Sequence, residues 1–272
     1  MLLGALFPTF GLAQTGVVST SVCADSYVLP LAAPDTIKAL SWQAGSALSR
    51  APKQLAKAPR ARADAETLLA LAPAQIILGP GEAMASTRLS IKRGAQVFAL
   101  QAKADFPGIR NNISQLSQFL HQQAAGKTLL SDQRSRLEKL QQRTRHRSQK
   151  IKVLYLTPTL GTAGENTFVG AAITAAGGIN LASEFGISGW GKVPVEHLAG
   201  QTPDLILTSF FTDGAPSVYQ FRSHHFVLQQ LRQNVPQVEI PGALWVCGGP
   251  LLINAAEQIA DALDNVAKEN LP

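Results

Sequence analysis

The sequence predicts an α/β protein of two lobes, each with a parallel-sheet βαβ core, joined by one long α-helix with a cleft between the lobes. Three observations carry this prediction. Short apolar runs alternate with helical patterns, and such alternation builds parallel sheets whose working ends are the carboxyl ends of the strands. The alternation stops at a heavily charged segment and then restarts. The charge also changes sign there: residues 1–133 carry +5, residues 134–152 carry +7 and residues 153–272 carry −6.

The elements follow in order. Leu2 to Leu12 form an apolar run ending in Gly11-Leu12-Ala13-Gln14, the form of a secretory signal peptide cleaved after Ala13. No Lys or Arg precedes that run, so a hydrophobic first strand is the other reading. Val17-Val18 makes a buried strand, with Ser19-Thr20-Ser21 as its loop, and Ile37 to Trp42 makes a second strand. Ala65 to Leu71 is helical until Pro73, and Gln75 to Leu78 is a strand ending at Gly79-Pro80-Gly81. Met84 to Arg93 is a helix closed by Gly94, followed by a strand from Gln96 to Leu100.

Pro107 to Gln122 and Ala125 to about Arg147 read as helices, the second charged, with Leu129, Leu137 and Leu140 as a partial apolar stripe. Such a helix braces two lobes rather than packing inside one. The restart reads as strand Lys152 to Leu156, helix Val169 to Ala176 and strand Asp204 to Leu207. Helix Phe226 to Gln233, strand Gln237 to Ile240 and helix Ile253 to about Val266 complete it. The expected divisions are a leader remnant over 1–13, a first lobe over 14–122, a connecting helix over 123–150 and a second lobe over 151–272.

Composition removes several classes. A chain of 272 residues with 46% hydrophobic and 15% charged residues has a sizeable core and is not disordered. Pro8 and small polar residues interrupt the first apolar stretch, so no segment reads as a membrane span. Two cysteines make neither a disulfide scaffold nor a four-thiolate metal site.

An internal echo links the halves. Glu66 stands seven residues before Pro73, with Ala-Gln-Ile-Ile-Leu after it; Glu196 stands seven before Pro203, with Asp-Leu-Ile-Leu after it. With the turn segment Ala176-Gly177-Gly178-Ile179-Asn180-Leu181 and the long helix between the halves, the chain resembles one family. These are the periplasmic binding proteins that deliver iron–siderophore complexes, haem or vitamin B12 to ABC importers. The likeness runs from Val17 to about Val266, and Pro73-Ala74 departs from the family's usual Pro-Asp, which Pro203-Asp204 keeps.

The resemblance implies a bilobal binding protein that is exported to the periplasm and is not an enzyme. It implies one rigid bridging helix, a ligand cleft between the lobes and small hinge motion. One glutamate per lobe, Glu66 and Glu196, would dock onto arginines of the importer permease. The plain alternative is two acids that favour the starts of their helices. No resident cofactor or metal is implied, since metal arrives within the bound ligand, and the protein is expected to be a monomer.

Cleft residues should follow strand ends, which selects Cys23, Asp25, Trp42, Gly79 to Gly81 and Gln101 in the first lobe. In the second lobe it selects Thr157 to Thr162, Trp190, Ser209 to Thr212 with Phe210, Trp245 and Cys247. All three Trp fall in these loops, either to line a cleft for a large flat ligand or to plug the ends of the lobe cores. Arg50, Lys53, Lys57, Arg60 and Arg62 lie together without an acid, which suits an anionic guest or merely a solvated face. Three readings of Cys23 and Cys247 stand open: a disulfide across the cleft, thiols on a metal-bearing ligand, or two inert buried thiols.

Other motifs fall away. Gly79-Pro80-Gly81 lacks the third glycine of a dinucleotide loop, His224-His225 has no clustered carboxylates, and no nucleophile elbow or Walker loop occurs. The basic helix carries no interleaved aromatics, so nucleic acid is not an expected partner. Two classes remain: an exported binding protein for a metal chelate or corrinoid, and a cytoplasmic α/β enzyme with chemistry in its cleft. Within the first class an iron–siderophore is favoured by a small margin over vitamin B12 or haem.

Overall fold

The computed structural model describes residues 16–209 and 230–269, apart from 104, 146, 148, 158 and 232. Its strands are β1 (Val17–Ser19), β2 (Ile37–Ser41), β3 (Arg60–Ala61), β4 (Gln75–Leu78), β5 (Gln96–Ala99) and β6 (Lys152–Tyr155). They continue with β7 (Gly161–Ala163), β8 (Ile179–Asn180), β9 (Trp190–Lys192), β10 (Leu205–Thr208) and β11 (Gln237–Glu239). One sheet has the order β3-β2-β1-β4-β5 and the other β11-β10-β6-β8, with every neighbour parallel. β7 and β9 form a separate antiparallel pair.

Period-two alternation explains how the sheets are seated. Val17, Ile77, Val153, Tyr155, Leu205 and Leu207 point into one large core that both lobes share. Their neighbours on the opposite pleats serve each lobe separately. Val18, Ile76 and Leu78 fill the outer layer of the first lobe, while Leu154, Leu156 and Ile206 fill that of the second. Each fully buried aliphatic side chain contributes about 1.5–3 kcal/mol. Separating the lobes would therefore expose the larger of these cores, and wide hinge opening is disfavoured.

The helices are α1 (Val22–Leu31), α2 (Ala65–Leu71), α3 (Arg88–Lys92), α4 (Phe106–Phe119) and α5 (Gln123–Arg145). In the second lobe come α6 (Phe168–Ala175), α7 (Leu181–Glu184), α8 (Val195–Gly200), α9 (Gly242–Trp245) and α10 (Leu252–Glu269). Local chemistry sets their starts: Asp64, Asp105 and Thr167 each accept a backbone N–H from the first turn of α2, α4 and α6. Asp64 is held below its usual value chiefly by the Thr67 N–H.

Four expectations need correction. Residues after Ser19-Thr20-Ser21 were expected to be loop, yet Ser21 caps α1 and accepts from Ala24 N, so Cys23 and Asp25 are helical. Pro30 sits in the last turn of α1, where it forfeits only one helical bond. The helix expected over 84–93 begins as a 3₁₀ turn at Met84–Thr87 before α3. Trp190 lies on strand β9 and Trp245 ends helix α9, so neither is a loop residue. The expected leader, Phe210 and His224-His225 lie outside the described residues, as does most of the helix expected over 226–233.

α5 spans 23 residues, roughly 34 Å. In the first lobe Gly126 lies so close to α4 that a Cβ there would stand 2.3 Å from Ser117 Oγ. Toward the second lobe its basic end meets the acidic face of α10. Arg136 donates twice to Glu257, at 2.8 and 2.5 Å, and Arg143 reaches Asp261 at 2.7 Å. Arg143 and Arg147 both pair with Asp264, and Arg147 also donates to Ala176 O at 2.8 Å. The charge reversal in the sequence is thus a complementary pair of helices.

Candidate functional site

The carboxyl ends of the central strands of both sheets lead to one seam. After β1, Cys23 in the first turn of α1 forms a disulfide with Cys247, 224 residues away in the second lobe. Cys247 adopts the left-handed conformation at φ 62°, which turns the chain sharply after α9. The next two residues also touch α1. Tyr27 Oη donates to Gly248 O at 3.3 Å, and a Cβ at Gly249 would stand 2.5 Å from Ser26 Oγ. Burial pushes the Tyr27 hydroxyl up to about 12, so it stays a neutral donor.

An exposed tryptophan stands on each lobe. Trp42 follows β2, is 51% exposed and carries the Arg62 guanidinium 4.3 Å above its ring. Gln43, its neighbour, accepts from Val22 N beside the disulfide at 3.3 Å. Trp190 is 58% exposed and leans on Phe168 at 5.3 Å and on Tyr155 at 6.2 Å between ring centroids. Phe168 in turn lies against Gly248, the residue after the disulfide. A continuous set of contacts therefore runs from one tryptophan through the disulfide to the other. Exposed rings held by edge contacts and a stacked cation offer flat apolar faces, which suit a large planar or apolar ligand.

Trp245 plays the other part foreseen for these residues. It is only 1% exposed, donates its Nε1–H to Ser209 Oγ at 3.1 Å and meets Tyr155 edge-on at 5.6 Å. It fills the core against Tyr155. Asp25 is buried likewise. It is 1% exposed and accepts from Ser41 N at 3.0 Å and from Ser19 Oγ and Ser41 Oγ at 2.5 Å. Burial raises its carboxyl above the usual value even against those donors. Its place is a tie between β1, β2 and α1.

The sequence matches the model of the periplasmic binding proteins over residues 28–231. It belongs to the periplasmic binding protein family. A curated relative, the cobalamin-binding protein of Halobacterium salinarum, is 27% identical over 151 residues, covering 54% of this chain and 41% of that protein. The chain thus matches less than half the length of that relative. Among solved structures, the periplasmic heme-binding protein RhuT from Roseiflexus sp. RS-1 superposes with a TM-score of 0.76 at 19% identity, covering 94% of this chain and 100% of that one. HutB of Vibrio cholerae, a periplasmic heme-binding protein, gives 0.74 at 22% identity, over 92% and 98%. BtuF of Vibrio cholerae, a periplasmic vitamin B12 binding protein, gives 0.68 at 19%, over 93% and 98%. At these identities the likeness establishes the bilobal fold.

The remaining expected site residues of this periplasmic binding protein are dispersed in role. Arg60 donates to the backbone carbonyl of Ala56, 3.0 Å away, and its Nη1 is buried without a partner. Thr157 closes a turn by accepting from Gly161 N at 2.8 Å, and Gly81, at φ 80°, shapes the exposed turn after β4. Glu66 and Glu196 are both exposed in the first turns of α2 and α8. Sequence reasoning missed Glu82, which accepts from Thr20 Oγ1 and Gly79 N, each at 2.5 Å, and so joins the ends of β1 and β4. It missed Phe168 as well, although its place beside the helix cap Thr167 was a usable signal. Among the described residues, no three His, Cys, Asp or Glu gather to hold a metal.

Proposed function

We propose that this chain is the exported, ligand-capturing component of an ABC importer, and that its ligand is a corrinoid. The observation that carries this reading is the pair of exposed tryptophans, one per lobe, flanking the disulfide seam. They can hold a wide apolar ring system from both sides, and the architecture binds cargo rather than transforming it. The cobalamin-binding relative supports the same ligand class.

The basic stretch supports an anionic ferric siderophore less than its sequence suggests. Arg62 covers Trp42, Arg60 turns to the Ala56 carbonyl, and Arg50 lines a different cavity. These cations do not converge on one anion. Haem iron is commonly held by His, Tyr, Cys or Met. Among the described residues at the seam, Tyr155 is buried and both cysteines are paired. A corrinoid brings its own axial ligands to cobalt and needs none from the protein.

Glu66 and Glu196, one exposed acid on each lobe, supply matching contacts for a symmetric permease. One experiment tests the whole reading. Titration calorimetry with cyanocobalamin, hemin and a ferric catecholate should give tightest binding to cyanocobalamin. Trp42→Ala and Trp190→Ala should each weaken it by about tenfold to a hundredfold. Glu66→Ala with Glu196→Ala should keep that affinity and stop uptake in cells. Preference for hemin or the catecholate, or tryptophan variants without effect, overturns the corrinoid assignment. Affinity lost in the double glutamate variant overturns the docking role.

A further inference from the structure

The segment from Met84 to Arg93 is folded with its amphipathic sense reversed. Thr87 and Ser90 face inward and are buried, while Met84, Leu89 and Ile91 are 48%, 48% and 45% exposed. Thr87 Oγ1 donates to Met84 O at 2.7 Å within the turn, and Ser90 Oγ is buried with no partner. A surface helix ordinarily turns its aliphatic side chains to the core and its polar ones to water. Among the described residues, two other large apolar side chains are as exposed, Trp42 and Trp190 of the seam. Single exposed apolar residues are ordinary, but three gathered on one short segment mark a contact surface.

Cations stand among these side chains. Arg88, Lys92 and Arg93 are exposed, and among the described residues none of them is in an ion pair. No acidic residue occurs between Glu82 and Asp105. Interfaces between proteins are depleted in Lys, whereas Lys and Arg beside aliphatic side chains suit the headgroup region of an anionic bilayer. The partner of this face therefore supplies negative charge in front of an apolar layer. α3 packs against α2, so the face and the exposed Glu66 lie on neighbouring helices.

We infer that Met84, Leu89 and Ile91, with Arg88, Lys92 and Arg93, form a surface that seats the first lobe on an anionic lipid bilayer. The apolar side chains enter the boundary between headgroups and acyl chains, and the cations meet the phosphates. Neither the cleft ligand nor a permease is needed for this contact, so its failure leaves the function proposed above standing.

Cosedimentation of the full chain with lipid vesicles tests it. The chain should bind vesicles of phosphatidylethanolamine and phosphatidylglycerol, and should bind phosphatidylcholine vesicles at least about tenfold more weakly. Arg88→Gln, Lys92→Gln and Arg93→Gln together should weaken binding about a hundredfold, at roughly fivefold per cation. Leu89→Asn with Ile91→Asn should weaken it about tenfold, because less apolar surface leaves water. Lys127→Gln, Arg134→Gln and Lys139→Gln, the same loss of charge at exposed positions of α5, should keep most of the binding. A chain that ignores the anionic vesicles overturns the proposal, and capture by poly-glutamate in that case would make the face a contact for an acidic protein. An apolar variant that binds like the unaltered protein overturns it by leaving only charge attraction. An α5 variant that loses as much as the α3 variant overturns it by leaving only net charge.

Discussion

The two lobes are fastened in two places by opposite kinds of chemistry. At the cleft, Cys23 and Cys247 make a covalent link, with Tyr27 and Ser26 packed on the residues that follow. Along the connecting helix, Arg136, Arg143 and Arg147 grip Glu257, Asp261 and Asp264 of the last helix. The first fastening is insensitive to salt and depends on redox state; the second is partly exposed and is weakened by salt and acid. Between them lies the shared apolar core. The two lobes therefore form a nearly rigid frame, and under the function proposed above recognition would rest on side chains such as Trp42 and Trp190 more than on closure.

The largest effect should come from the covalent link. A cross-link spanning 224 residues removes much of the freedom of the unfolded chain. The chain-entropy estimate is about 5 kcal/mol, and measured native disulfides commonly give about 2–5. Cys23→Ser with Cys247→Ser, or a reductant, should lower the melting temperature by about 10 °C in scanning calorimetry. A fall of less than about 3 °C would erase the distinction between the two fastenings, since the ionic one alone could then hold the lobes.

The next effect isolates a polar tie beside the disulfide. Asp25→Ala strands Ser19 Oγ, Ser41 N and Ser41 Oγ without their acceptor in a buried setting. Leaving such donors unpaired should cost about 2–4 kcal/mol in urea denaturation. Asp25→Asn retains one acceptor oxygen and should recover roughly half of that loss. Equal stability of Asp25→Ala and the unaltered protein would show that Asp25 ties nothing together.

The strands were legible because parallel strands buried on both faces read as continuous apolar runs, as Gln75–Leu78 and Lys152–Tyr155 do. The connecting helix was legible from its length and charge, and the internal echo placed Glu66 and Glu196 at the starts of two helices. α1 was not legible. Its opening Ser-Thr-Ser reads as a loop, Pro30 reads as a stop, and its buried face includes an aspartate. The tryptophans show why sites are harder than folds. Trp190 sits between glycines and stays exposed, while Trp245 follows Ala243-Leu244 and is buried. Their neighbours hint at this difference, but only tertiary packing leaves one ring exposed and buries the other.

The smallest effect tests the ionic fastening and turns on two aspartates with opposite shifts. At Asp264 burial acts to raise the carboxyl, but hydrogen bonds and charge from Arg147 and Arg143 outweigh it and hold the value below 3.8. A folded value below the unfolded one stabilises the fold above about pH 4, and that stabilisation is lost as the pH falls through the folded value. Asp264→Asn should therefore cost about 1 kcal/mol at pH 7, and the gap from the unaltered protein should close as the pH falls below the usual carboxylate range. Asp25 runs the other way. Burial sets its folded value above 3.8, so the fold gains from this group as the pH falls through that value. The gap between the unaltered protein and Asp25→Asn should consequently widen on mild acidification, before the Asp264 contribution is lost. Urea denaturation of both variants at pH 7, 5 and 3, values chosen on either side of the usual carboxylate range of about 4, separates the two trends. Parallel profiles would mean that the cleft and helix fastenings answer to the same electrostatics, and the contrast between them would fail.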